Sequence, residues 1–65
     1  MKILVNGAWR DTDAGDLAAA LQELGYGDAV VATALNGEFV AAGSRPRARL
    51  NDGDRLEILA PMQGG

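Results

Sequence analysis

Few side chains in this sequence are suited to acid–base or nucleophilic chemistry. The 65 residues include no cysteine and no histidine, which excludes disulfides, thiolate metal sites and the usual general base near neutral pH. The remaining groups are carboxylates, a few hydroxyls, Lys2 and Tyr26. We therefore expect a protein that is not an enzyme in its own right.

The Gly64-Gly65 pair offers chemistry at the backbone instead. Glycine leaves its carbonyl carbon unshielded, and its backbone adopts the extended or positive-φ conformations needed to pass through a narrow channel. A terminal carboxyl at Gly65 would be ionised at neutral pH and a poor electrophile, so it would need activation before a nucleophile could attack it. We interpret the pair as functional; the alternative interpretation is an ordinary frayed end.

Two charged clusters have simpler explanations than ligand binding. Arg45, Arg47 and Arg49 alternate around a proline, which is more often a solvated loop beside an edge strand than a phosphate site. Asp52 and Asp54 flank a glycine without the other ligands of a calcium loop, so we interpret them as a turn. We predict no metal site, and the net charge of -3 argues against nucleic-acid binding.

The N-terminal residues predict a β-hairpin. Lys2 to Asn6 alternates, with Ile3 and Val5 on one face. Asn6-Gly7 is a strong signal for a tight turn, and it leads into a return strand over Ala8 to Asp11.

One amphipathic helix should follow. Thr12 and Asp13 are good N-cap residues, and Asp16 would then place negative charge in the first turn. Gly25 marks the helix end, because glycine takes the left-handed conformation that closes a helix. Four apolar residues recur between these limits at helical spacing: Leu17, Ala20, Leu21 and Leu24.

A second hairpin is predicted after the helix. Residues 30–35 form a β-prone run that ends at a second turn signal, Asn36-Gly37. We favour burial of Val31 and Leu35, which also buries the Thr33 hydroxyl. The opposite parity leaves that hydroxyl exposed and buries a less apolar face, made of Val30, Ala32 and Ala34. Periodicity alone does not decide between the two parities.

The last third of the chain should return to the sheet. Glu38 to Val40 completes the hairpin, and Ala41 to Arg49 is predicted as a loop that feeds a short extended segment over Ala48 to Leu50. Asn51 to Asp54 is a tight turn by composition. Arg55 to Ala60 is the last strand, in which two apolar residues alternate inwards: Leu56 and Ile58.

These elements predict an α+β fold, a mixed sheet of four to five strands packed on one helix. We expect residues 1–60 to form one small domain and residues 61–65 a flexible C-terminal diglycine tail that begins at Pro61. No apolar stretch approaches the roughly 20 residues that span a bilayer, and the apolar start is too short for a signal peptide. We therefore expect a cytoplasmic protein without membrane contact.

The order of elements and the Gly-Gly pair resemble the ubiquitin-like β-grasp superfamily. The likeness narrows to the ThiS family, the sulfur carriers of bacterial thiamine biosynthesis. It covers nearly the whole chain and rests on the order and spacing of four segments: Val5-Asn6-Gly7, Leu35-Asn36-Gly37-Glu38-Phe39-Val40, Asn51-Asp52-Gly53-Asp54-Arg55-Leu56-Glu57-Ile58 and Gln63-Gly64-Gly65.

The resemblance implies a sulfur carrier that is a co-substrate of partner enzymes. An E1-like adenylating enzyme would activate Gly65, with Gly64 helping to thread the tail, and would consume ATP and magnesium at its own site. A sulfur donor such as a cysteine desulfurase system would supply the sulfur for a thiocarboxylate, and thiazole synthase would receive it. This chain has no Gly-x-x-x-x-Gly-Lys loop, so no cofactor is expected to bind it.

A docking face should accompany the tail, because a few residues carry too little surface to bind alone. Leu59 has the opposite parity to the inward residues of the last strand. With Met62 and Leu4 it would form an exposed apolar patch at the tail end, and we hypothesise that this patch meets the adenylating enzyme.

Three other functions remain open at this stage. The small subunit of molybdopterin synthase shares the fold and the diglycine, although such subunits tend to be longer. A ubiquitin-like protein modifier would end in an isopeptide bond to another protein. A binding module would make no use of the two glycines.

Overall fold

A computed structural model describes residues 1–60 of the chain. Met62, Gly64, Gly65 and the expected flexible tail at 61–65 lie outside the described residues. Within them are five strands, one α-helix and one 3₁₀ helix: β1 Lys2–Val5, β2 Ala8–Asp11, α1 Leu17–Glu23, β3 Ala32–Leu35, β4 Glu38–Val40, the 3₁₀ helix Ala42–Arg47 and β5 Arg55–Leu59.

The strands form one mixed sheet with the order β2-β1-β5-β3-β4. β1 and β5 are parallel, and the other neighbouring pairs are antiparallel. The first strand of the chain therefore lies beside its last, and β5 occupies the middle of the sheet. This arrangement confirms the predicted α+β class and the mixed sheet of four to five strands on one helix.

The hydrophobic core lies between one sheet face and α1. Ile3 and Val5 from β1 are buried, and Leu56 and Ile58 from β5 are buried beside them, as the alternation predicted. The helix and its flanking segments contribute the rest of the buried apolar side chains: Ala14, Leu17, Ala20, Leu21 and Leu50.

Both Asn-Gly turns have the predicted geometry. Asn6 and Gly7 have φ values of 48° and 85°, and Asn36 and Gly37 have 51° and 86°. Positive φ at both central residues is the type I′ pattern, whose twist matches that of the strands it joins. The two hairpins, β1–β2 and β3–β4, follow directly.

The helix begins later than the sequence suggested. The predicted N-cap at Thr12 or Asp13 is wrong: Asp16 is the N-cap, and its Oδ1 accepts a hydrogen bond of 2.8 Å from the Ala19 amide. Thr12 is buried, and its hydroxyl accepts the Ala14 amide at 3.0 Å. Thr12, Asp13 and Asp16 all have side chains that can cap a helix, so capping preference alone does not choose among them, and tertiary contacts set the boundary.

One of those tertiary contacts also changes the predicted segment over 48–50. The Leu17 amide donates to the Ala48 carbonyl at 2.9 Å, and the Leu50 amide donates to the Gly15 carbonyl at 3.0 Å. The result is an isolated bridge between Asp16 and Arg49, not a strand of the sheet. Asp16, the bridge residue, has an extended backbone with φ -141° and ψ 169° immediately before α1.

Gly25 marks the helix end as predicted: it follows the C-cap Leu24 and has a φ of 90°. The Tyr26 amide donates to the Leu21 carbonyl at 2.8 Å, and the Gly25 amide donates to the Gln22 carbonyl at 3.1 Å. This pair of bonds is the Schellman motif, which satisfies carbonyls left free at a helix C-terminus.

The favoured parity of β3 is correct, and the buried hydroxyl has partners. Thr33 is only 2% exposed, while Val31 and Leu35 are partly buried against the core. The Thr33 hydroxyl donates to the Val40 carbonyl at 2.8 Å and accepts from Arg45 Nε at 3.0 Å. A satisfied hydroxyl removes the cost that had favoured the opposite face.

Arg45 is therefore structural, and its interpretation as part of a solvated loop was wrong. Its guanidinium also donates to the Val31 carbonyl at 2.6 Å, and the segment that carries it is the 3₁₀ helix, not an irregular loop. Arg47 and Arg49 are exposed, in agreement with the solvated interpretation. The spacing of the three arginines gave no sign that one of them faces β3.

Replacing Arg45 tests this role. Arg45→Ala leaves the Thr33 hydroxyl and the Val31 carbonyl with one partner fewer. We expect the free energy of unfolding in urea to fall by about 1.5–3 kcal/mol, the range for hydrogen bonds from a charged donor. Arg47→Ala, at an exposed position of the same 3₁₀ helix, should stay within about 0.5 kcal/mol of the wild type. Equal losses in the two variants would contradict the assignment.

Candidate functional site

The candidate site is the end of β5, the strand that leads towards residues 61–65. Leu59, the last residue of β5, is 70% exposed and lies on the face of the sheet away from the core. Its register partner is Ala32 on β3. The predicted outward parity of Leu59 is thus seen in the structure.

Exposed apolar side chains from two segments meet beside Leu59. Val30, at the approach to β3, is 80% exposed, and it lines a shallow groove together with Ala32, Leu59 and Ala60. We call these four residues the exit patch. Val30 and Ala32 are exposed, as the favoured parity of residues 30–35 predicted. Their proximity to Leu59 depends on the β3–β5 register, which the sequence pattern did not supply.

Leu4 is not close to Leu59. It lies on β1, opposite Trp9 on β2 and next to Arg55 at the beginning of β5. Leu59 is at the other end of the same strand, four positions further, or about 13 Å along a strand. The structure therefore separates these two of the three predicted docking residues, and the third, Met62, lies outside the described residues.

Two asparagine side chains hold the backbone of β5, a feature that the sequence analysis missed. Asn6 Oδ1 accepts the Ile58 amide at 2.8 Å, and Asn6 Nδ2 donates to the Ile58 carbonyl at 3.1 Å. At the other end, Asn36 Oδ1 accepts the Arg55 amide at 2.9 Å. Both residues had been assigned a turn role alone. The signal available was the repeated choice of asparagine at a position where glycine also fits.

Metal-ligand clusters and unpartnered buried polar side chains are both missing from the described residues. Across residues 1–60, no group of three or more His, Cys, Asp or Glu side chains is placed to hold a metal ion. In the same range every buried side-chain nitrogen or oxygen has a hydrogen-bond partner. What the arrangement offers is a well-paired strand, with an apolar patch at its end, that leads to the diglycine.

None of the helices within residues 1–60 has both the length and the apolar character needed to cross a membrane.

Comparison with solved structures supports the same fold. The crystal structure of the thiamine biosynthesis protein ThiS from Geobacter metallireducens superposes with a TM-score of 0.84 at 30% identity, over 100% of both chains. The solution structure of a thiamine biosynthesis protein from the same organism has a TM-score of 0.80 at 29% identity, over 100% of this chain and 88% of that one.

A curated relative is much longer than this chain. It is a thiazole synthase from Paramagnetospirillum magneticum, 41% identical over 66 residues, which cover 100% of this chain and 20% of the relative. The chain thus spans about one fifth of the length of that protein.

The sequence model of the ThiS family matches residues 3–65, a range that includes β5, its flanking strands and the Gly64-Gly65 pair. Together with the crystal structure that superposes over its full length, this match shows that the chain belongs to the ThiS family, as the resemblance of its turns and diglycine had implied.

Proposed function

We propose that this chain is a sulfur carrier for thiazole formation in thiamine biosynthesis, and that the carboxylate of Gly65 is the group that is activated and loaded. The observation that carries the proposal is the family match from residue 3 to residue 65, which includes the diglycine. The relatives named above belong to thiamine biosynthesis or are called thiazole synthase, which favours this pathway over molybdopterin synthesis.

The chemistry requires two displacements at the chain end. The Gly65 carboxylate attacks the α-phosphorus of ATP, and pyrophosphate leaves, which gives an acyl adenylate. A sulfur nucleophile then attacks the Gly65 carbonyl carbon and AMP leaves. If the nucleophile is hydrosulfide, the product is the thiocarboxylate itself. If it is the persulfide of a donor protein, an acyl disulfide forms, and a thiol cleaves its S–S bond to release the thiocarboxylate and leave the donor sulfur in a disulfide. Glycine at positions 64 and 65 leaves room around the reacting carbon and lets the backbone adopt the conformations that a narrow channel demands.

A partner enzyme supplies the catalytic groups in this proposal. The chain has neither cysteine nor histidine, and Lys2 is its one lysine, so the nucleotide site, its magnesium ion and the charge that stabilises the phosphates are assigned to an E1-like adenylating enzyme. A sulfur donor such as a cysteine desulfurase system provides the sulfur, and thiazole synthase consumes it. The carrier is the co-substrate in each step.

Docking is assigned to the exit patch. A tail of a few residues buries too little surface to bind by itself, and the exit patch is an exposed apolar surface that includes Ala60, the residue before the tail in sequence. Leu59 has the largest side chain of the four residues in this patch, and it is 70% exposed.

Substitution at the diglycine tests the loading chemistry. Gly64→Val and Gly65→Val should each lower carrier-dependent ATP–pyrophosphate exchange by a ThiS-adenylating enzyme more than about 100-fold, because a branched side chain crowds the carbonyl and the channel. The urea midpoint should not move. Gly43→Val is the control, since Gly43 has open space around its Cβ position and no positive φ. Undiminished exchange in both tail variants would refute the proposed chemistry.

A charge on the exit patch tests docking. Leu59→Asp should weaken binding to the adenylating enzyme at least about tenfold in calorimetry, because the carboxylate would have to be buried at an apolar contact. Trp9→Asp is the matched control: Trp9 is 59% exposed and lies beside Leu4, away from the end of β5. An equal loss in the two variants would reject the exit patch as the docking site.

A further inference from the structure

β5 extends beyond the end of its neighbouring strand β1. The β1–β5 pairing ends with Val5 opposite Leu56, because the chain then turns away through Asn6-Gly7. β5 continues to Leu59, and on its other edge it stays paired with β3 up to Ala32. On the β1 side, the backbone of Ile58 therefore has no strand residue with which to pair.

The Asn6 side chain fills that place. The backbone amide of Asn6 donates to the Leu56 carbonyl at 2.9 Å, as the next residue of a parallel strand would. Its side chain then accepts from the Ile58 amide at 2.8 Å and donates to the Ile58 carbonyl at 3.1 Å. A carboxamide carries the same donor and acceptor as a peptide group, so the side chain extends the ladder by one more step.

We propose that Asn6 is a positioning residue for the loading reaction: its carboxamide fixes the direction in which β5 leaves the sheet, and so the place at which the tail is presented. This inference rests on the proposed function. Ile58 is followed directly by Leu59 and Ala60 of the exit patch, so one pair of hydrogen bonds sets both the docking surface and the start of the tail. Holding a segment in its bound direction before it docks lowers the ordering cost of binding and so raises affinity.

The turn alone does not require asparagine at this position. A φ of 48° at Asn6 suits asparagine, aspartate or glycine. Glycine would preserve the turn and lose both bonds to Ile58, and aspartate would keep the acceptor and lose the donor. The bonds to Ile58 are thus separable from the geometry of the hairpin.

The second hairpin supplies a matched control. Asn36 occupies the same turn position with a φ of 51°, and its side chain accepts the Arg55 amide at the beginning of β5. Asn36→Gly therefore removes the same kind of side chain from the same kind of turn, at the end of β5 far from the tail.

Amide hydrogen exchange tests the two hydrogen bonds between the Asn6 side chain and Ile58, independently of any partner enzyme. In Asn6→Gly the Ile58 amide should exchange about tenfold faster relative to Leu56, the change expected for the loss of one or two net hydrogen bonds. In Asn36→Gly the faster amide should be Arg55, with Ile58 unchanged. Asn6→Asp, which keeps the acceptor, should fall between wild type and Asn6→Gly and serves as the second variant if the glycine form does not fold. Unchanged exchange at Ile58 would overturn the inference.

Steady-state adenylation by a ThiS-adenylating enzyme with ATP and magnesium tests positioning. At a temperature where all variants are folded, Asn6→Gly should raise the KM for the carrier about tenfold and change kcat less than twofold, since a tail already in the channel is held by the enzyme. Asn36→Gly should leave both within twofold. Equal KM values for the two variants would overturn positioning. If the wild type is not adenylated at all, the proposed function is wrong, and so is the positioning role of Asn6. The exchange result still decides whether the Asn6 side chain holds the Ile58 backbone.

Discussion

The pairing of β5 between β1 and β3 is the constraint on which the rest of this structure depends. It joins the two hairpins, which are far apart in sequence, into one sheet, and it buries Leu56 and Ile58 under the helix. A chain of this size buries one modest core, so the loss of the central strand would remove the sheet as a whole. The same strand ends at Leu59 of the exit patch and leads to the diglycine. In our proposal, the hydrogen bonds that stabilise the sheet around β5 therefore also direct the tail to its partner.

Much of this fold could be predicted because local signals agreed with the global arrangement. Asn6-Gly7 and Asn36-Gly37 fixed both hairpins, since few residue pairs tolerate positive φ twice in succession. Gly25 fixed the helix end for a similar reason. Alternation fixed the buried faces of β1 and β5. Each of these features depends on only a few neighbouring residues, so it can be predicted from the sequence.

The features that were missed depend on contacts between distant segments. The start of α1 is set by the bridge between Asp16 and Arg49, and no local preference distinguishes Asp16 from Thr12. Arg45 resembles its exposed neighbours in sequence, and only the packing of the 3₁₀ helix shows that it satisfies Thr33. At the site, the outward face of Leu59 was predictable from alternation. Its neighbours Val30 and Ala32, its distance from Leu4 and the role of Asn6 all follow from strand register.

We propose that Gly65 carries sulfur as a thiocarboxylate, and the intact mass of the protein reports this loading. The chain is incubated with ATP, magnesium, a sulfur source and a ThiS-adenylating enzyme whose activity is shown on its own carrier, and a variant without Gly65 is treated in parallel. We expect a mass gain equal to the replacement of one oxygen atom by sulfur in the full chain and none in the variant. An unchanged mass in the full chain, or the same gain in the variant, would contradict it.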